Sequence, residues 1–177
     1  MASIPTGPAS CGGSDPAAPG RIRLAVIGCG NPARRDDGVG VEVVRELRRF
    51  GGPDVDLIDA GTGGIDVMFR VRGARQVVIV DACRSGSTAG TIFRLPANEA
   101  MTPVEHGFSL HGLRWDHALY AGRRMYGDSF ADHAEVILVE AHELGFGLGL
   151  SDAVGAAAAR VVAMLEPLVR GDEGRRD

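Results

Sequence analysis

Lysine is absent from this chain: all 19 cationic residues are arginine, set against 23 acidic ones, and the formal net charge is −4. With no positive surplus to neutralise phosphates, nucleic acid is excluded as a natural partner. Cysteine is scarce, and Cys11, Cys29 and Cys83 are odd in number and scattered. That excludes a disulfide framework and fits a reducing compartment, the cytoplasm. No apolar run approaches the roughly 20 residues that a membrane helix needs, so no membrane partner is expected. The first twenty residues are rich in Ala, Gly, Pro and Ser but lack the apolar segment behind a basic start that marks a secretory signal. They are expected to form a mobile tail.

Apolar residues fill 45% of the 177 positions, enough for one compact domain, expected over residues 21–170 with a charged, frayed tail at 171–177. Residues 22–27 read as a buried strand. Val39, Val43, Val44, Leu47 and Phe50 then recur at helical spacing until Gly51-Gly52-Pro53 breaks the pattern. Residues 55–58 form a second strand ending at Asp59, and the turn Gly61-Thr62-Gly63-Gly64 opens a short amphipathic helix. The β-branched run 77–80 is of the kind buried on both sheet faces and stops at Asp81. A fourth strand, 91–95, is expected to pair with the third as a hairpin because the link is short. Ser109 is a candidate N-cap for a helix carrying Leu110, Leu113, His117 and Tyr120, which puts His111 in its first turn. A fifth strand at 136–139 and a final helix capped by Ser151 complete the pattern. This alternation predicts a three-layer α/β sandwich: about five mostly parallel strands in a twisted sheet, with helices on both faces.

The densest stretch of chemistry is Gly28-Cys29-Gly30-Asn31-Pro32-Ala33-Arg34-Arg35-Asp36-Asp37-Gly38-Val39-Gly40, a glycine-rich turn holding two carboxylates where strand becomes helix. Open α/β sheets place their ligand crevice at such strand ends. Asp37, Asp81 and His111 all fall at loop positions that this fold could bring together. Two carboxylates and an imidazole suit a borderline divalent cation such as zinc or nickel with open coordination positions. A helix start at His111 would also keep its ring neutral and able to ligate. Each residue equally fits a plainer role: Asp36 or Asp37 as a helix cap, Asp81 as a turn former, His111 as a surface residue.

The turn from Gly28 to Pro32 with Asp36-Asp37-Gly38-Val39-Gly40, then Asp59-Ala60-Gly61-Thr62, Val80-Asp81-Ala82 and Ser109-Leu110-His111, resembles in order and spacing the hydrogenase maturation endopeptidases. These process the large subunit of nickel-iron hydrogenases. The resemblance implies an endopeptidase that removes a C-terminal extension from a nickel-loaded large-subunit precursor, its protein partner. Catalytic and metal-contacting roles would fall on Asp37, Asp81 and His111. The surrounding substrate loops would comprise Gly28, Gly30, Asn31, Asp36, Asp59, Gly61 and Thr62. The nickel would be that of the substrate, and whether a metal is also resident is left open. Glu140-Ala141-His142-Glu143 departs from the Pro-containing stretch expected there.

The usual proteolytic devices are missing. No Gly-x-Ser-x-Gly elbow occurs, and the zinc-protease pattern begun by His142-Glu143 has Phe146 where its second histidine belongs. Cys29 and Cys83 are alternative nucleophiles, although no activating base accompanies them. Gly28-x-Gly30-x-x-Ala33 also matches a loose dinucleotide fingerprint, against which Pro32 and the charged run 34–37 count. The turn is similar as well to that of peptidyl-tRNA hydrolases, whose following His-Asn pair is here Asp36-Asp37. A non-catalytic protein that checks the precursor's nickel is a further reading. Arg114, Trp115, Arg123, Arg124, Met125 and Tyr126 could form a docking surface, or the aromatics could simply pack a helix onto the sheet with the arginines solvated.

Overall fold

A computed structural model describes residues 22–103 and 113–172. Five strands form one sheet in the order β2-β1-β3-β5-β4. They are β1 (Ile22–Cys29), β2 (Val55–Gly61), β3 (Ala74–Cys83), β4 (Ile92–Pro96) and β5 (Ala134–Glu140). β1 pairs in parallel with β2 and β3, β3 pairs in parallel with β5, and only β4 runs antiparallel. The helices are α1 (Val39–Leu47), α2 (Gly64–Gly73), α3 (Trp115–Tyr126) and α4 (Asp152–Arg170).

Side-chain alternation along the central strands builds two cores. Leu24, Val26, Val78, Val80, Ile137 and Val139 face α1 and α4, whereas Ala25, Ile27, Val77, Ile79 and Val136 face α2 and α3. Strands covered on both faces need apolar residues at every position, which is why these runs show no polar alternation. The three-layer architecture read from the sequence is therefore the one observed.

Two expectations are corrected. β4 pairs with β5, not with β3, because both edges of β3 are already occupied. The link after Cys83 instead passes the end of β5, where Gly90 N–H donates to Glu140 O and Glu140 N–H to Thr91 O, each at 2.8 Å. It then returns along the outer edge of β5. The helix expected from Ser109 opens only at Trp115, and Arg114 before it is extended (φ −74°, ψ 163°). His111, with Ser109 and Leu110, lies outside the described residues, and with it the expectation of a helix start there, as do the tail at 1–20 and most of 171–177.

The strand order reverses direction between β1 and β3: the chain goes from β1 to β2 on one side and β3 then adds on the other. In sheets of this kind the crevice lies at that switch point, beyond the carboxyl ends of the two strands. The turn after β1 carries Asp37 and the end of β3 carries Asp81.

Candidate functional site

The turn after β1 is folded around its glycines and its two carboxylates. Gly30 takes φ 114°, and a Cβ there would collide with the carbonyl of Asp37. Only glycine lets these two backbone segments meet. A Cβ on Gly40 would likewise strike the carbonyls of Val80 and Cys29, so α1 begins directly on the backbone of β1 and β3. Asp37 Oδ2 accepts the Asn31 N–H at 3.0 Å, and Asn31 Oδ1 accepts the Ala33 N–H at 3.0 Å. These bonds hold Asp37 half-buried at the mouth of the crevice. Arg35 lies in the left-handed region (φ 48°), which costs a non-glycine residue about 1–2 kcal/mol. Its N–H donates to Gly147 O at 3.0 Å and its guanidinium meets Glu143 at 3.2 Å, which offsets that cost.

Asp36 turns the opposite way from Asp37. It is fully buried, and its carboxylate accepts the backbone N–H groups of His142 (2.9 Å), Glu143 (2.7 Å) and Ser151 (2.7 Å) and the Ser151 hydroxyl (2.9 Å). Burial pushes its pKa upward, but those donors outweigh it and leave the acid below the ordinary range. Asp36 thus caps neither its own helix nor a substrate; it pins the 142–151 segment, including the residue before α4. Asp36, expected among the substrate-loop residues, lines neither the small cavity nor the cleft beside Asp37.

At the end of β3, Asp81 is 6% exposed. Its Oδ2 accepts the indole N–H of Trp115 at 2.6 Å, with the Arg114 guanidinium 3.8 Å from the same oxygen, and its Oδ1 accepts the Ala82 N–H at 2.8 Å. Burial is the largest influence on its pKa and the Asp37 charge adds to it. Together they outweigh the lowering by Trp115, Ala82 and Arg114, and the value rises to about 6. Asp37 and Asp81 line one cavity of about 90 Å³, with Cys29, Gly30, Thr62 and Arg114 on its walls. Asp37 also opens onto a larger cleft of about 440 Å³ bounded by Cys83, Arg84, Leu138 and Leu144. The two carboxylates named from the sequence are therefore brought together. Among the described residues no three His, Cys, Asp or Glu side chains form a metal-holding group.

Gly30, Gly61 and Thr62 line the small cavity with them. Gly28 lies within β1 and Asn31 orients Asp37. Asp59, by contrast, is exposed outside the cavity; it accepts the Gly61 N–H at 3.1 Å and lies 3.6 Å from Arg45. Two participants had no distinct signal in the sequence. Trp115, which the sequence offers as core or docking surface, packs in the core and is also a hydrogen-bond donor to Asp81. Glu140, at the end of β5, accepts the Ser85 N–H and hydroxyl and the Gly86 N–H at 2.7–3.0 Å. These donors, Ser85 foremost, hold its pKa at about 2, and they tie down the rim beyond Asp81.

The alternative chemistries fare poorly. Burial raises the Cys29 pKa well above the ordinary thiol range, and burial together with Glu140 pushes Cys83 to about 12. Neither is a thiolate near neutral pH, so neither is poised as a nucleophile. In the dinucleotide reading, the start of the first helix should receive a diphosphate, but Asp36 and Asp37 occupy it with negative charge. The 142–150 segment is not helical, so His142 and Glu143 lack the spacing of a helical zinc motif. No helix among the described residues is long and apolar enough to cross a membrane.

Comparison with known proteins adds an independent line. Residues 41–168 match the family model described as hydrogenase maturation protease. Among curated relatives, hydrogenase expression/formation protein HupD of Thiocapsa roseopersicina is 35% identical over 124 residues, covering 68% of this chain and 55% of that protein. The hydrogenase 2 maturation protease of Escherichia coli is 32% identical over 95 residues, covering 52% and 58% respectively. This chain thus spans little more than half the length of these relatives. Among solved structures, hydrogenase maturating endopeptidase HybD of E. coli superposes with a TM-score of 0.70 at 23% identity, covering 86% of this chain and 94% of that one. The HycI protease of Thermococcus kodakarensis gives 0.66 at 21% identity, covering 85% and 94%. The superpositions establish a shared fold, and the family match, which takes in most of the domain, shows that this chain belongs to the hydrogenase maturation protease family.

Proposed function

We propose that this protein is a cytoplasmic endopeptidase that removes a C-terminal extension from the nickel-loaded large-subunit precursor of a nickel-iron hydrogenase. Asp37, Asp81 and His111 contact the substrate's nickel. The observation that carries this reading is the meeting of Asp37 and Asp81, from separate segments, in one cavity at the switch point of the sheet. Membership in the family supports the reaction class. Two carboxylate oxygens are suitable donors for a borderline divalent cation that keeps positions open for other ligands.

In this mechanism the nickel-bearing end of the precursor enters the cleft and its metal meets the Asp37 and Asp81 carboxylates. Held by these carboxylates, the substrate's nickel would supply Lewis-acid chemistry, at the scissile carbonyl or at a water. One of the two carboxylates, Asp37 or Asp81, serves as proton acceptor. Arg114 and Trp115 hold the Asp81 carboxylate in place. A precursor without nickel offers the two acids nothing to bind, so cleavage waits for metal insertion.

The test is to mix purified protein with nickel-loaded and nickel-free precursor and weigh the products. A fixed C-terminal mass loss from the loaded form alone is expected. Binding with no mass loss would establish a nickel-checking protein without catalysis, and equal trimming of both forms would remove nickel from the recognition step. Asp37→Ala, Asp81→Ala and His111→Ala should each abolish processing while the far-UV circular dichroism stays unchanged; full processing by all three defeats the site assignment.

A further inference from the structure

We propose that Trp115 is a positioning residue for Asp81: its indole N–H locks the carboxylate in the orientation that faces Asp37 across the cavity. The inference rests on the proteolytic reading for its kinetic consequence but not for its geometry. Trp115 is 6% exposed, and its ring packs in the core layer beneath α2 and α3 with Ile27, Met68, Ala118 and Leu119. Such a side chain cannot swing, so its N–H is a fixed point. The bond it makes, 2.6 Å to Asp81 Oδ2, joins the first residue of α3 to the end of β3, 34 residues away in the chain.

The donor type matters. An indole N–H donates one hydrogen bond, accepts none and carries no charge. It can therefore orient a carboxylate without neutralising it and without competing for a cation. Arg114, the only other side chain drawn to this oxygen among the described residues, is 3.8 Å away and 62% exposed, and it shares its charge with Asp116 at 3.3 Å. The Ala82 N–H fixes the other oxygen from behind. With Oδ2 held by the core and Oδ1 by the backbone, the unused lone pairs are left for a ligand in the cavity. Hydrogen bonds that orient a ligating or catalytic group in this way are worth about 10- to 100-fold in activity or affinity.

The chain has a single tryptophan, which makes the test clean. In a ¹⁵N-labelled sample the one indole N–H signal should be shifted downfield and slow to exchange, and Asp81→Ala, which removes the acceptor, should move it and speed its exchange. An indole signal indifferent to that substitution would overturn the proposal, whatever the protein does to a precursor. For the kinetic arm, tryptophan is replaced throughout by benzothienylalanine, which keeps the ring shape and puts sulfur in place of N–H. The expected result is a roughly 10- to 100-fold fall in kcat for the nickel-loaded precursor, with KM and melting temperature little changed. Fluorotryptophan, which keeps the N–H, should restore kcat. Equal kcat for the sulfur isostere refutes the role. If the unaltered protein processes no precursor, the proteolytic reading fails and the indole signal alone decides whether Trp115 positions Asp81.

Discussion

Asp81→Asn should make this protein more stable at neutral pH while removing its activity. In the folded chain the carboxyl has a pKa of about 6 against an ordinary 3.8, because burial beside Asp37 disfavours the charge. A difference of about two units corresponds to roughly 3 kcal/mol, at about 1.4 kcal/mol per unit, by which the ionised group opposes folding above pH 6. The sign follows from a raised folded-state value. The group's stabilising contribution is complete below 3.8, where both states are protonated, and is lost as pH rises through 6. Asparagine mimics the neutral form and its Oδ1 can still accept the Trp115 N–H, but its amide opposes the Ala82 N–H, which takes back about 1 kcal/mol. A net gain of about 2 kcal/mol is expected at pH 7.5, or roughly 4–8 °C in melting temperature for a domain of this size.

Thermal melts in chelator-treated buffer at pH 7.5, 6.5 and 5.5 measure this directly. The advantage of the variant over the unaltered protein should shrink toward pH 5.5, where Asp81 takes up its proton. Asp36 and Glu140 do not confuse the comparison, since both pKa values are lowered and their contributions are lost only as pH falls below the ordinary carboxylate range. A variant less stable than its parent at pH 7.5, or an advantage that does not change with pH, would refute the reasoning. The physical content is a conflict between fold and function: a carboxylate kept in a place that the fold alone would fill with a neutral group.

The remaining predictions concern the scaffold around that group. Asp36→Ala strips the acceptor from three backbone N–H groups and one hydroxyl, and should cost about 3–5 kcal/mol, visible in urea denaturation and in faster hydrogen exchange over residues 142–151. Because the Asp36 pKa is lowered, its contribution is present above the unfolded value and fades as pH falls through the folded one; the gap between variant and parent should narrow only under strong acid. Gly30→Ala forces a side chain into the Asp37 carbonyl at a positive φ and should destabilise the fold by several kcal/mol or disable the Asp37 turn; a variant with unchanged melting temperature and processing contradicts that geometry. Cys29→Ala and Cys83→Ala should each leave precursor processing intact, and alkylation of both thiols should be slow at pH 8, because raised pKa values keep them protonated.

What the sequence determined by itself was the layer architecture and the two strand ends that bear the acids of the cavity. Short β-branched runs such as 77–80, followed by turn residues, mark strands buried on both faces, and a glycine-rich turn at a strand end marks where a sheet of this type places its crevice. Local pattern carries that information because burial and backbone conformation act residue by residue. It carries none about which edge of the sheet a later strand will join. The hairpin expected between the third and fourth strands is absent because β5, more than forty residues further on, takes the place beside β3. Nor could spacing tell Asp36 from Asp37. They are chain neighbours of identical chemistry, and the left-handed Arg35 and the 142–151 segment send one into the interior and the other to the cavity. Trp115 likewise reads as a core aromatic until β3 and α3 are packed together. Only then does a carboxylate lie at its N–H, since hydrogen-bond partners 34 residues apart are chosen by tertiary packing and by nothing in the local chain.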